Sequence, residues 1–359
     1  MKISIILGTR PEIIKMSPII RGLQRADLDF HILHTGQHYS YNMDKIFFEQ
    51  LRLPEPRYKL NVGSGTHAEE TGNMLIGIEK ILAQEKPNVV LVEGDTNSVL
   101  SGALAAVKLG IHVGHVEAGL RSFDRTMPEE INRTLTDHAS DLLFAPTETA
   151  KENLLSEGID QKKIFVTGNT IVDAVNQNLE LAKRDTYSKL GLAKDDFFLL
   201  TLHRQENVDN VERLKNLLEG LKLLVREFQK TIVYPIHPRT KKRLDDYNIR
   251  IDEPKIRIIE PLDYLSFLNL ESKAGLVLTD SGGVQEEACI LRVPCVTLRY
   301  NTERPETIDI GANMLAGTDP NSIVKIAGLM LGKTRDWKNP FGDGRSAERI
   351  IDVLKRVYG

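Results

Sequence analysis

Residues 275–291, GLVLTDSGGVQEEACIL, decide the fold of this chain. The apolar run Gly275–Leu278 predicts a strand, and Gly283–Leu291 predicts the helix that follows it. A strand, a glycine-rich turn and a helix in succession form one βα unit of a parallel sheet. Ser281 is placed as the helix N-cap, and the free N–H groups beyond it attract anions. Because such turns also occur as ordinary capped turns, this one alone predicts an anion site without naming the anion.

The same alternation of short apolar strands and helices runs along the rest of the chain. Residues 183–196, KRDTYSKLGLAKDD, interrupt it with a charged stretch. We therefore predict an α/β fold of two Rossmann-like domains with parallel sheets, at 1–170 and 171–344, followed by an amphipathic helix at 345–359. The predicted strands are Ile3–Leu7, Phe30–His34, Val89–Val92, Val113–Val116, Leu142–Phe144, Ile164–Val166, Phe197–Leu202, Thr231–Tyr234, Ile256–Ile259, Gly275–Leu278 and Cys295–Leu298.

The composition limits the classes of partner. The chain has 359 residues, of which 41% are hydrophobic and 27% charged, with a net charge of −3. No global electrostatic field therefore attracts nucleic acid or a membrane surface.

The opening MKISIILGTRPE predicts a strand rather than a signal peptide, so we expect a cytoplasmic protein. Cys289 and Cys295 have no metal-ligand spacing and are predicted to be core residues, and no metal site is predicted.

Charged side chains follow several predicted strands, at the edge where open parallel sheets bind ligands. Arg10 and Lys15 follow the first strand, in a turn that lacks the glycine pattern of nicotinamide-binding enzymes. Asp95 and Glu117 each follow a later strand of the first domain. Carboxylates that converge in this way can divide the roles of acid and base.

Two further candidates have a structural alternative. Glu129 opens a helix and lies four residues before Arg133, a spacing that also predicts an exposed ion pair. His203 follows the first strand of the second domain, beside Arg204. A lone histidine usually has a structural role, but its place at a strand end beside an arginine favours a functional one. On the helix after the glycine-rich turn at 281–283, Glu287 lies one turn beyond Gly283, within reach of the hydroxyls of a ribose if the bound anion is the diphosphate of a nucleotide. A diphosphate and a ribose would together make a nucleotide.

Taken together, these residues resemble the non-hydrolysing UDP-N-acetylglucosamine 2-epimerases. Each matching segment is weak alone, but the set spans nearly the whole chain in the family's order. The segments are GTRPEIIKM (8–16), GDT (94–96), GHVEAGLRS (114–122), PEEINR (128–133), TGNT (167–170), LHRQEN (202–207), TDSGGVQEEA (279–288) and TERPE (302–306).

The resemblance implies a GT-B-like fold with the active site in the interdomain cleft, a final helix that packs back on the first domain, and a homodimer. It implies reversible interconversion of UDP-N-acetylglucosamine and UDP-N-acetylmannosamine without a redox cofactor, and we expect elimination and re-addition of UDP through a 2-acetamidoglucal. It assigns catalysis to Asp95, Glu117, Glu129 and His203. It assigns Arg10, Lys15 and Arg133 to the substrate or the carboxylates, Leu262 and Phe267 to uracil, Ser281, Gly282, Gly283 and Arg304 to the diphosphate, and Glu287 to the ribose.

Other functions fit parts of the pattern. A UDP-sugar glycosyltransferase shares the fold and the phosphate turn, but would need an acceptor site. A catalytically inactive sensor of nucleotide-sugars would not need the carboxylates. A hydrolysing relative would release UDP and free sugar. Gln37-His38, Arg204 and His237 also resemble parts of a regulatory UDP-sugar site of the family, whereas residues 62–67 lack the Arg-Gln pair associated with it.

Overall fold

The computed structural model describes residues 1–36, 41–63, 65–182 and 186–359. They form two compact units, Met1–Gln177 with Phe341–Gly359, and Asn178–Pro340. The sequence placed the boundary after residue 170. Residues Thr170–Leu181 form one continuous helix at this point of the chain, and the boundary stays a prediction.

The first unit contains seven described strands, all parallel, in the order β3-β2-β1-β4-β5-β6-β7. Helices connect them, as expected for right-handed crossovers. The strands are β1 Lys2–Leu7, β2 Asp29–His34, β3 Tyr58–Lys59, β4 Val89–Glu93, β5 His112–Val116, β6 Leu142–Ala145 and β7 Ile164–Val166. The helices are α1 Arg10–Arg25, α2 Tyr41–Gln50, α3 His67–Glu85, α4 Asn97–Lys108, α5 Pro128–Ala139, α6 Glu148–Ser156 and α7 Thr170–Leu181, and residues Gln161–Lys163 form a 3-10 turn.

The second unit contains six described parallel strands in the order β10-β9-β8-β11-β12-β13. Its helices are α8 Thr186–Lys189, α9 Gln205–Val208, α10 Val211–Phe228, α11 Pro238–Asp246, α12 Tyr264–Glu271, α13 Gly282–Ile290, α14 Pro305–Asp309 and α15 Pro320–Leu331. Its strands are β8 Phe197–Thr201, β9 Thr231–Pro235, β10 Ile256–Ile259, β11 Leu276–Thr279, β12 Cys295–Thr297 and β13 Asn313–Leu315.

The predicted α/β fold with two parallel sheets is confirmed, and every predicted strand forms. β4 is buried along its whole length, as expected for a sheet covered on both faces. The short edge strands β3 and β13 were missed, since two or three residues carry no readable pattern. Each sheet reverses its strand order at one point, between β1 and β4 and between β8 and β11. Ligands of open α/β sheets bind beside such reversals.

The last helix, α16 Ser346–Tyr358, belongs to the first unit and packs on α1. A Cβ atom at Gly22 of α1 would lie 2.4 Å from Cδ1 of Ile351, so glycine lets the two helices approach closely. Both cysteines are buried. Within the ranges that the structure describes, no helix combines the length and the apolar character needed to cross a membrane.

Candidate active site

At the strand reversal of the first sheet, the turn after β1 is tied to the turn after β4. Glu12 accepts hydrogen bonds from the backbone N–H groups of Gly8 and Thr9, which completes a capping box at the start of α1. Its other oxygen accepts from the Thr96 hydroxyl at 2.6 Å. Burial raises the pKa of the Glu12 carboxyl to about 7, and these hydrogen bonds only partly offset that effect. Glu12 thus joins the turn that carries Arg10 to the turn that carries Asp95.

Lys15 and Glu117, predicted separately, form an ion pair. Both residues are buried, and the Lys15 ammonium also lies 3.6 Å from Oε1 of Glu93. Glu117 has a φ of +69°, a left-handed conformation that non-glycine residues adopt rarely and that clusters at functional sites. Glu93 was not among the predicted site residues. It directly follows the predicted apolar strand Val89–Val92 and ends the observed β4, and only the tertiary structure places it beside Lys15.

Asp95 is held by Arg133. One terminal nitrogen of the guanidinium lies 2.5 Å from Asp95 Oδ2, and the other lies 2.8 Å from Glu130 Oε2. The exposed ion pair between Glu129 and Arg133 that the spacing allowed does not form among the described residues. Glu129 is on the exposed face of α5, whereas Glu130 is buried and takes that place. Arg133 therefore orients Asp95, and Glu129 stays at the start of the helix with its carboxylate open to solvent.

Arg10 and Glu130 have further contacts that fix the surrounding turns. The Arg10 guanidinium lies over the ring of Phe47, 5.2 Å from its centroid. Glu130 accepts from the backbone N–H groups of Ser122 and Phe123, each at 2.9 Å. The turn after β5 is thereby tied to the helix that supplies Arg133.

A buried network behind the carboxylates joins the same turns. His115 Nδ1 lies 2.6 Å from Asp137 Oδ1, and His115 Nε2 lies 2.8 Å from the Gly94 carbonyl oxygen. The other Asp137 oxygen accepts from the Gly119 N–H and pairs with Arg121. Burial alone would raise the pKa of Asp137, but the charges of His115 and Arg121 outweigh it and the pKa lies below its usual value. The network fixes the residues that flank Asp95 and Glu117.

In the second unit, His203 is anchored by Asp280. The fully buried Asp280 carboxylate accepts from the backbone N–H groups of His203 and Arg204 at 3.0 and 2.9 Å and lies 3.1 Å from His203 Nδ1. It also accepts from the Asn207 amide at 3.2 Å. Asp280 therefore faces the turn after β8, and it orients the ring of His203.

The three residues after Asp280 have the geometry of an open helix start. Ser281 is the N-cap of α13, as predicted, but its hydroxyl makes no capping hydrogen bond. Within the part of the chain that the structure describes, the nearest non-neighbouring atom would lie 3.7 Å from a Cβ atom at Gly282 and 4.0 Å from one at Gly283, and neither glycine has a positive φ. Internal packing therefore does not require glycine here. The glycines instead leave the backbone open at a helix end that favours anions.

Glu287 belongs to a buried acidic cluster. Its carboxylate interacts electrostatically with Tyr264 and Glu271, two residues of α12 that the sequence did not single out. Burial, followed by the charge of Glu287, raises the pKa of Glu271 well above its usual value. Leu262 and Phe267 are half-buried and pack on the apolar cluster that lies between this helix and the sheet.

Arg304 is buried and pairs with Glu286 of α13 at 2.7 Å. This contact ties the 299–304 loop to α13, the helix that starts at the 281–283 turn. Arg299, which was not predicted, pairs with Glu206 and Glu303 at 2.8 and 2.9 Å and holds the loop from its other end. Ion pairs between distant segments leave no pattern in a sequence.

The whole arrangement can be compared with known proteins. The family model described as UDP-N-acetylglucosamine 2-epimerase matches residues 21–355. The UDP-N-acetylglucosamine 2-epimerase of Methanocaldococcus jannaschii is 63% identical, over 100% of both chains. This chain belongs to the UDP-N-acetylglucosamine 2-epimerase family. The prediction made from the eight motifs is confirmed.

Solved structures of the UDP-N-acetylglucosamine 2-epimerase family share the fold. The crystal structure of the M. jannaschii enzyme in complex with UDP-GlcNAc and UDP has a TM-score of 0.92, covering 99% of this chain and 100% of that one. One relative differs in substrate: the UDP-2,3-diacetamido-2,3-dideoxy-D-glucuronate 2-epimerase of Pseudomonas aeruginosa is 45% identical, over 99% of this chain and 100% of its own. Membership therefore fixes the reaction type more firmly than the sugar.

The regulatory site remains a prediction. Gln37 and His38 lie outside the described residues. His237 is the N-cap of α11, where Nδ1 accepts from the Arg239 N–H at 3.2 Å, and its ring lies 5.4 Å from that of His203. These contacts give His237 a structural role. Arg204 follows His203 in the chain, and its guanidinium lies 4.0 Å from Glu303 Oε2.

Proposed function

We propose that this protein interconverts UDP-N-acetylglucosamine and UDP-N-acetylmannosamine by inversion at C2. One observation carries the proposal: a relative 63% identical, with a TM-score of 0.92, has been solved with UDP-GlcNAc and UDP. The described residues support it independently. The second unit offers an open helix start followed by a buried carboxylate, and the first unit offers two carboxylates held by cations.

In this proposal the second unit binds UDP. The diphosphate accepts hydrogen bonds from the N–H groups at Gly282 and Gly283 and from the Ser281 hydroxyl, and Arg304 supplies positive charge. Glu287 accepts hydrogen bonds from the ribose hydroxyls. Leu262 and Phe267 contact uracil. His203, whose Nδ1 is already engaged by Asp280, presents Nε2 to the phosphate.

The chemistry follows from the position of the proton. The hydrogen at C2 of a pyranose is not next to a carbonyl group, so its direct removal is very slow. As the bond between C1 and the β-phosphate oxygen breaks, positive charge at C1 acidifies C2–H. A base removes that proton, the electron pair of C1–O leaves with UDP, and a C1=C2 double bond forms in 2-acetamidoglucal.

The reverse steps complete the inversion. An acid delivers a proton to the opposite face of C2, and the phosphate oxygen of UDP forms its bond to C1 again. Asp95, Glu117 and Glu129 are the acid and base candidates, and Arg133 and Lys15 set the orientation of Asp95 and Glu117. Tight retention of UDP favours its return over its release.

The UDP-N-acetylmannosamine formed would supply ManNAc-type sugars for surface polysaccharides or glycans. We propose that the enzyme is a cytoplasmic homodimer.

The test is incubation of the pure protein with UDP-N-acetylglucosamine in D2O, followed by NMR of the anomeric protons. We expect deuterium at C2 and a new UDP-N-acetylmannosamine signal. Free sugar with stoichiometric UDP would identify a hydrolase instead, and no reaction without an acceptor would indicate a glycosyltransferase or a sensor. A parallel incubation with UDP-2,3-diacetamido-2,3-dideoxy-D-glucuronate tests the sugar. Turnover of that substrate alone would contradict the proposed specificity.

A further inference from the structure

Glu93 is a buried carboxyl group at the proposed acid–base centre that the chemistry above does not use. It ends β4 with 2% of its surface exposed. Among the residues that the structure describes, its Oε1 has no hydrogen-bond partner, and it lies 3.6 Å from Nζ of Lys15. That ammonium makes its closer contact with Glu117. Two carboxyl groups thus face one cation, and the cation is engaged by Glu117.

The charges around Glu93 disfavour a second anion at this position. α1 contributes Glu12 and Lys15, the turn after β4 contributes Asp95, and Glu117 follows β5. Three of these four neighbours are acids. Burial, the largest effect, and the acidic neighbours raise the pKa of Glu93 well above its usual value, while Lys15 lowers it only in part.

We propose that Glu93 is a positioning residue that stays a neutral carboxylic acid and thereby keeps the Lys15 ammonium paired with Glu117. The inference rests on the proposed epimerisation, in which Glu117 is an acid–base candidate. Were Glu93 to ionise, its carboxylate would compete with Glu117 for the same ammonium. Glu117 would then lose its fixed orientation. Loss of the Glu93 proton should therefore end activity on the alkaline side of the pH profile.

Glu93→Gln tests this directly, because glutamine has the size of the neutral acid but cannot ionise. We expect kcat at pH 7 within about threefold of wild type and KM unchanged, with the alkaline limb of kcat moved upward by at least about one pH unit. Glu93→Ala should lower kcat at least about tenfold, since it removes the group that packs against the ion pair, so that glutamine rescues what alanine loses. The matched control is Glu219→Gln, which changes an exposed glutamate of α10 and should leave the profile unmoved.

Two kinetic results would overturn the inference. The first is a loss of about 100-fold or more in Glu93→Gln at every pH, which would make Glu93 an acting anion. The second is an alkaline limb identical in Glu93→Gln and wild type. A wild type that does not epimerise at all would refute the proposed function instead.

A second readout is independent of activity. A carboxyl group whose pKa is higher in the folded than in the unfolded state makes the protein less stable as the pH rises. The loss runs from the unfolded-state pKa, near 4.3, up to the folded-state pKa. The melting temperature of Glu93→Gln should therefore gain on wild type by at least about 2 °C between pH 5 and pH 8. A constant difference over that range would overturn the neutral-acid assignment, whichever substrate the enzyme takes.

Discussion

Replacing Asp280 by asparagine removes the negative charge that organises the turn after β8. The carboxylate is fully buried and accepts three hydrogen bonds, from the N–H groups of His203 and Arg204 and from the Asn207 amide. Each hydrogen bond to a charged group contributes about 1.5 to 3 kcal/mol. Asparagine keeps one acceptor oxygen but turns an amide NH2 toward donors. We therefore expect a loss of about 3 kcal/mol in the free energy of unfolding of the second unit.

The assay uses urea and the fluorescence of Trp337. It is the single tryptophan of the chain, it is buried in the second unit, and its indole donates to the Cys289 carbonyl, so its signal follows that unit. With a slope of about 2 kcal/mol per molar urea, the midpoint should fall by about 1.5 M. The control Asp252→Asn, at an exposed loop residue, should shift it by less than about 0.25 M. A midpoint for Asp280→Asn within that control range would refute the reasoning.

The stabilisation that Asp280 provides depends on pH in a predictable direction. Burial raises the pKa of Asp280, but the hydrogen bond and charge of His203 and the two backbone N–H groups outweigh it, and the net pKa lies below the usual value. The stabilisation is therefore complete above the unfolded pKa of about 3.9 and is lost as the pH falls through the folded value. The gap between wild type and Asp280→Asn should be full at pH 6 and should narrow below about pH 4.

Three further substitutions test separate parts of the structure. Asp95→Asn should keep the Kd for UDP, measured by calorimetry, within about threefold and lower C2 deuterium exchange by about 100-fold or more; exchange at the wild-type rate would contradict its role. Glu287→Ala should raise the Kd for UDP by about 10- to 100-fold, and an unchanged Kd would remove it from the ribose site. Gly119→Ala should destabilise the first unit by more than about 3 kcal/mol in thermal melts, because its Cβ would lie 2.2 Å from the Ala150 carbonyl oxygen at a φ of +83°. Gly158→Ala, with a φ of +84° and no atom within 4 Å, should show only the smaller backbone strain, and equal losses in both would contradict the steric argument.

Much of the fold was readable from the chain because its strands are short, apolar and followed by helices. Each interior strand of both sheets was predicted within two residues of its observed bounds. Prediction failed where the pattern is too short, as at β3 and β13. The candidate site residues were predicted for a related reason. Strand ends and helix starts are local features, and polar residues at those places are visible in the sequence.

The amino-acid sequence by itself determined the family, the parallel sheets and the positions of Asp95, Glu117, His203 and the 281–283 turn. Only the tertiary structure decided which charges meet: Arg133 with Glu130 rather than Glu129, Lys15 with Glu117, and Asp280 with the turn at His203. It also placed Glu93, an apparent strand residue, beside Lys15. The spacing of apolar residues indicates which face of a helix a residue lies on, because residues three or four positions apart share a face. The pairs of Lys15 with Glu117 and of Asp280 with His203 join residues that are far apart in the chain. The choice of Glu130 over Glu129 depends on burial, which the order of residues does not carry.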